Sequence, residues 1–188
     1  GLSLVGLMMA YRTLRLDEMV VAQGYPALGF LPALGILLQP AAFLVFFASA
    51  LAETKRAPFD LPEGESEIVG YFVEYSGMKF GTMFLAEFVE IVVVAGLVTA
   101  LFLGGWHPIL FEGWLRQNLS PLWFAAVGGG AFLAKMVFLT WLQLMLRWLL
   151  PRFRYDRLMA FGWKVMLPAA LFNVAATAVG IVLWGAGG

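Results

Sequence analysis

The sequence predicts an all-α integral membrane protein: a multi-span helical bundle of about four full spans plus an N-terminal partial helix, with a charged cytoplasmic loop. Three observations predict it. Hydrophobic residues make up 62% of the chain and charged ones 13%, and the mean hydropathy is +0.86, outside the range of soluble domains. The apolar runs are long, and a bilayer core takes about 20 apolar residues per helical span. Lipid offers no partner to an unbonded backbone group, so these runs read as helices rather than buried strands. The charge is also concentrated: six of the twelve acids fall between Glu53 and Glu74.

The opening "GLSLVGLMMAYRTL" has an apolar run before Arg12 that is too short to cross, so it reads as the end of a helix, followed by an interfacial stretch through "RLDEM". Four later stretches are long enough to span: Pro26 to Ala52, Phe80 to Gly104, Leu122 to Leu150 and Lys164 to Trp184. Pro32 and Pro40 within the first, and Gly128 to Gly130 within the third, are the proline and glycine content that membrane helices tolerate as kinks and close contacts. No internal repeat or low-complexity linker divides the chain, and residues 1–188 read as a single transmembrane domain.

Basic residues orient the spans. The loops around Lys55 to Lys79 and Arg147 to Lys164 are separated by two spans and share a face. They hold eight lysines and arginines, against three on the other side (Arg12, Arg15 and Arg116), with Lys135 inside a span. The richer face is cytoplasmic by the positive-inside rule.

Composition also limits the chemistry. With no cysteine and one histidine, His107, the chain offers no disulfide, thiolate-ligated cluster or bis-histidine haem of its own. Any electrons must be carried by a partner. Equal numbers of acids and bases argue against a nucleic-acid surface. No phosphate-binding glycine loop, nucleophile triad or metal-ligand spacing is present. What remains is proton handling and the shaping of an apolar cavity.

The acidic segment "LAETKRAPFDLPEGESEIVGYFVEYSG" carries that chemistry. Pro58 stops a simple continuation of the preceding helix, and Asp60 can cap a new one with Pro62 in its first turn and Glu63 three residues on. On such a helix Glu63, Glu67 and Glu74 project within about 40° of one another, and Glu65 points away. Two carboxylates about 6 Å apart repel by roughly 3 kcal/mol at an effective dielectric near 20, which is about two pKa units. A shielded stripe of this kind exchanges protons in response to a nearby charge and titrates as a group. The plainer reading is a solvated loop whose acids pair with Lys55, Arg56 or a partner. Glu87 and Glu90 inside the next span, and Lys135 inside another, weigh against it, because ionisable groups at such depth are costly and default to function. A single pair with Lys135 would account for Glu90.

The run "AETKRAPFDLPEGESEIVGYFVEYSGMKF", followed by "FLAEF", resembles the segment between the fifth and sixth spans of the quinone-chamber membrane subunit of respiratory complex I, the NADH-quinone oxidoreductase. That component is numbered 1 in mitochondria and is known as the H or 8 subunit in bacteria. "PRFRYDRLMAFGWKVMLP" resembles the same family's last cytoplasmic loop. The resemblance covers essentially everything after Gly24. Two positions depart from the pattern: Lys55 stands where asparagine is usual, and Glu90 where a neutral polar residue is expected. The family's subunit is a longer chain, so the sequence reads as its C-terminal part.

The resemblance implies a proton-translocating membrane subunit that helps enclose the quinone chamber at the junction with the peripheral arm. It would couple quinone reduction to proton pumping through a chain of charged residues. By matching position, Glu53, Asp60, Glu63, Glu65, Glu67, Glu74 and Glu87 are the proton-relay candidates. Arg56, Phe59 and Asp60 are chamber candidates, and Arg152, Arg154, Asp156 and Arg157 are candidate contacts with peripheral subunits. Lys135 and Glu90 are the intramembrane charges. The implied substrate is a quinone, ubiquinone or menaquinone. FMN and iron-sulfur clusters are expected in partner subunits, with no cofactor held by this chain alone. The implied partners are the peripheral subunit with the terminal cluster, its quinone-site neighbour, small membrane subunits and the lipid bilayer. The expected location is the bacterial plasma membrane, or the mitochondrial inner membrane in a eukaryote. The alternatives are the membrane anchor of a related proton-pumping hydrogenase, a stand-alone proton channel, and a purely structural anchor.

Overall fold

The computed structural model describes residues 1–25, 33–54, 77–108, 115, 120–149 and 155–185. Among them the regular elements are helices: α1 (Leu2–Tyr11), α2 (Leu16–Gln23), α3 (Gly35–Leu38), α4 (Pro40–Glu53), α5 (Met78–Phe102), α6 (Pro121–Leu149), α7 (Tyr155–Phe161) and α8 (Leu167–Gly185). A π-helical segment, Gly162–Met166, joins α7 to α8. Three helical stretches are long and apolar enough to cross a bilayer: Met78–Phe102, Pro121–Leu146 and Asp156–Leu183. The last begins earlier than expected, because nothing in "YDRLMAFGWK" stops a helix and Asp156 favours its first turn.

The stretch Pro26 to Ala52 departs from a continuous span. Residues 26–32 lie outside the described residues, and the remainder is two helices, α3 and α4, that meet at Gln39 (φ −139°, ψ 68°). Pro40 is the cause. It has no N–H to donate and its ring excludes a helical predecessor, yet it sits without cost as the first residue of α4.

The stretch through "RLDEM" is likewise more than an interfacial run. It forms α2, begun by Arg15 in an extended conformation with Asp17 and Glu18 in the first turn. Thr13 Oγ1 donates to Glu18 and accepts from the Arg15 amide. Met19, Val20 and Gln23 are buried, and α2 packs on α5.

The bundle is ordered across its section. α1 and α8 pack together and on α4, α4 also touches α5, and α5 carries α6, α2 and α3. The core is formed by Leu7, Met19, Ala42, Phe47, Leu51, Ala95, Val98, Leu101, Phe102 and Leu139. The Phe43 ring meets Phe102 edge-on at 5.4 Å and stacks on Phe47 at 5.8 Å, a geometry worth about 1 kcal/mol beyond burial. Because the start of α4 meets the end of α5, these two helices run antiparallel. Gly96 of α5 lies against Met136 of α6 and Trp106 against Gly128, so α5 and α6 are antiparallel as well. The ends at Glu53, Lys79 and Leu149 therefore share one membrane face. α7 starts on that face too, since six further residues reach about 20 Å and cannot recross a core of about 30 Å.

Candidate functional site

Among the described residues, two hydrogen-bonded clusters of polar groups tie the helices together inside the bundle, and the carboxylates lie away from them. The first surrounds the C-terminal end of α5. A helix leaves its last four carbonyls without intrahelical partners, and lipid supplies none. Here Thr99 O accepts from the amides of Leu103 (3.2 Å) and Gly105 (2.9 Å). Ala100 O and Leu101 O accept from Gln23 Nε2 at 3.0 and 3.1 Å. The Gln23 side chain is completely buried, and its Oε1 accepts from the amides of Gly104 (2.8 Å) and Gly35 (3.4 Å). Gln23 is thus bonded on both ends and ties α2, α3 and α5 together.

Lys135 completes this arrangement from α6. Its Nζ donates to the carbonyls of Leu103 (2.7 Å), Gly105 (3.1 Å) and His107 (2.6 Å). Gly104 and Gly105 have φ of 74° and 53°, and this left-handed pair curls the chain so that the carbonyls converge on one ammonium. A cation at the negative end of a helix is stabilised by the helix dipole as well as by the carbonyls. The placement differs from a Glu90–Lys135 pair: Glu90 lies twelve residues before the end of α5, about 18 Å along the axis.

The second group is at the α3–α4 break. Gln39 is buried, and its Nε2 donates to Gly6 O at 2.9 Å and Thr177 Oγ1 at 2.8 Å. Its Oε1 accepts from Asn173 Nδ2 at 3.1 Å. Thr177 donates back to Asn173 O at 2.7 Å. One amide side chain thereby joins α1, the break and α8.

The carboxylates sit toward the opposite end of α5. Buried Ile91, Ala95, Val98 and Phe102 follow one another at steps of four, three and four, the helical spacing of a core-facing stripe. Glu87 falls one turn before Ile91, and Glu90 one turn before Val94, which packs on the core. Both acids are half-buried. Glu53 is exposed at the end of α4, and Asp156 and Arg157 are exposed in the first turn of α7, so these residues gather on the face shared by the helix ends. Asp60, Glu63, Glu65, Glu67, Glu74, Arg56, Phe59, Arg152 and Arg154 lie outside the described residues.

On the other face, Arg15 donates to Asp17 from Nε (3.2 Å) and Nη2 (2.7 Å). That bond holds the Asp17 carboxyl below its ordinary range. The pair's contribution is present at neutral pH and is lost as pH falls through the lowered Asp17 value.

Reasoning from charge singled out Lys135, Glu87 and Glu90 but passed over Gln23, Gln39, Asn173 and Thr177. The available signal was an uncharged amide within or beside an apolar run, which in lipid must find a partner.

Comparison with known proteins adds identity to this geometry. The family model described as NADH dehydrogenase matches residues 1–178. The chain is 44% identical over 186 residues to the second H subunit of the NADH-quinone oxidoreductase of Syntrophobacter fumaroxidans, covering 98% of this chain and 49% of that protein. It is 49% identical over 145 residues to the NADH-quinone oxidoreductase H subunit of Geobacillus thermodenitrificans, covering 77% and 40%. The corresponding H subunit of Thermomicrobium roseum is 44% identical over 191 residues, covering 100% and 51%. The chain spans about half the length of these relatives.

Proposed function

The chain belongs to the NADH dehydrogenase family, and on that premise we propose that it acts within a proton-translocating NADH-quinone oxidoreductase as part of the membrane subunit that couples quinone reduction to proton movement. The observation that carries this reading is the position of Glu87 one turn before Ile91 on the core-facing stripe of a membrane-crossing helix, with a second half-buried acid, Glu90, on the same helix. Ionisable groups there are costly unless they serve a polar path. The printed names of the relatives favour quinone over hydrogen as the partner substrate.

Quinone reduction takes two electrons and two protons, and the electrons must come from partner subunits, since the chain has no cysteine. FMN and iron-sulfur clusters belong to those partners in this reading, and the quinone, ubiquinone or menaquinone, is a substrate. The charge that appears before protonation shifts the proton affinity of nearby acids. Coupled carboxylates turn that shift into proton movement, because a change at one alters the occupancy of the next. Glu53, Asp60, Glu63, Glu65, Glu67 and Glu74 would begin the relay, and Glu87 would receive it within the membrane. Arg56, Phe59 and Asp60 would face the quinone. Arg152, Arg154, Asp156 and Arg157 would meet the peripheral arm on the cytoplasmic face of the bacterial plasma membrane, or its mitochondrial equivalent.

Two measurements test the reading. A tag on the chain in its native membrane, followed by gentle extraction, should bring down peripheral and membrane partners together with NADH-driven quinone reduction. Isolation of the chain alone, without activity, would overturn it. Glu67→Gln or Glu74→Gln should lower the protons pumped per quinone reduced while assembly persists, and unchanged stoichiometry in both variants removes these residues from the relay.

A further inference from the structure

We propose that Gln143 and Thr140 of α6 hold an internal water molecule inside the membrane. The site goes beyond the relay reading and stands on geometry independent of it.

Gln143 is one turn beyond buried Leu139, and its neighbours along α6, Leu142 and Leu146, pack against the core. It keeps only 6% of its surface exposed. Its Nε2 is buried with no hydrogen-bond partner among the described residues. A buried amide donor without an acceptor bears its full desolvation cost, which an apolar side chain of similar volume would avoid. The amide is accounted for by an acceptor that the described protein atoms do not supply.

Helix register shows which groups are at hand. Gly96 of α5 faces Met136 of α6, where an added Cβ would stand 3.8 Å from Met136 Sδ. Thr140 and Gln143 follow Met136 by four and seven residues, which places all three on one side of α6. On α5 the Gly96 side continues toward the same membrane face through Val93, Val92 and Val89, three, four and seven residues back. Valine carries no acceptor, so these positions leave the amide without a side-chain partner.

The remaining polar group is on α6 itself. A long side chain on a helix turns back over the turn before it, which carries the Gln143 amide toward Thr140, three residues earlier. Thr140 Oγ1 donates its proton to Met136 O at 2.9 Å, so its oxygen keeps lone pairs for another donor. The amide and the hydroxyl do not bond to each other. Water joins them, accepting from Gln143 Nε2 and donating to Thr140 Oγ1. Two polar partners suffice to retain a buried water, and Thr140 is only half-buried, which gives water a way in. Turning the amide over would put Oε1 in the same place, where the committed Thr140 proton could not serve it and water again could. Gln143 stands six residues before the end of α6 at Leu149, so the site places an exchangeable proton about 9 Å along the span from that end.

The test uses the assembled, full-length complex in lipid. A cryo-electron map that resolves ordered waters should show density within hydrogen-bonding distance of both the Gln143 amide and Thr140 Oγ1. Gln143→Leu and Thr140→Val should each remove it, and Thr140→Ser, which keeps the hydroxyl, should retain it. An infrared O–H stretching band that shifts when the complex is exchanged into water labelled with heavy oxygen should be lost in the first two variants and kept in the third. A dry contact, the amide donating to a protein atom, or density that survives Thr140→Val would overturn the proposal. The wild-type map decides even if a variant fails to assemble.

Discussion

Single side chains decide what is stable inside this bundle. Lys135 would be costly alone in lipid, yet it bonds three carbonyls that would otherwise be open. Removing it strands those carbonyls. Lys135→Met is therefore expected to destabilise the folded chain by about 3 kcal/mol, read as a lower unfolding temperature of the purified complex. An unchanged transition would show that the turn after α5 does not depend on the clamp. The charge pattern made Lys135 legible in the sequence as a residue needing a partner. It did not reveal which partner, because backbone carbonyls carry no sequence signal and converge only once Gly104 and Gly105 have turned the chain.

Helices and their interruptions set the next scale. Pro40 made a kink legible, and the break at Gln39 is where proline chemistry puts it. What holds the break is less local: Gln39 reaches Gly6, Asn173 and Thr177, the last two more than a hundred residues away. The two residues should then respond differently. Pro40→Ala is expected to cost less than about 1 kcal/mol, since the first position of a helix needs no donor. Gln39→Leu should cost about 1 to 3 kcal/mol by leaving the Asn173 Nδ2 donor without its acceptor. Thermal denaturation of both variants checks the ranking, and a larger effect from Pro40→Ala would mean that the ring rather than the amide organises the break. Close approach adds a constraint at Gly6, where a Cβ would stand 2.7 Å from Asn173 Nδ2 and Gln39 Oε1.

Over the whole molecule, alternation of the spans divides the charges between two faces. The ends carrying Glu53, Lys79 and Arg157 lie together, and α2 with Arg15 lies at the other end of α5, where Gln23 is bonded. The absence of native cysteine makes this easy to measure. Lys79→Cys should react with an impermeant thiol reagent from the cytoplasmic side, and Arg15→Cys only from the opposite side. Labelling of both from the same side would refute the topology.

The sequence by itself determined the solvent, the helical class, the order of the long spans and the two faces, because hydropathy and charge act over segments and need no knowledge of neighbours. It also marked Glu87, Glu90 and Lys135, because a charge in an apolar run is conspicuous wherever the helix goes. Only the tertiary structure decided that Lys135 caps α5 and that Gln23 and Gln39 are polar ties between helices. Those outcomes depend on helix register and on backbone groups left open at helix ends, which come together only when distant segments pack in a medium that offers them no water.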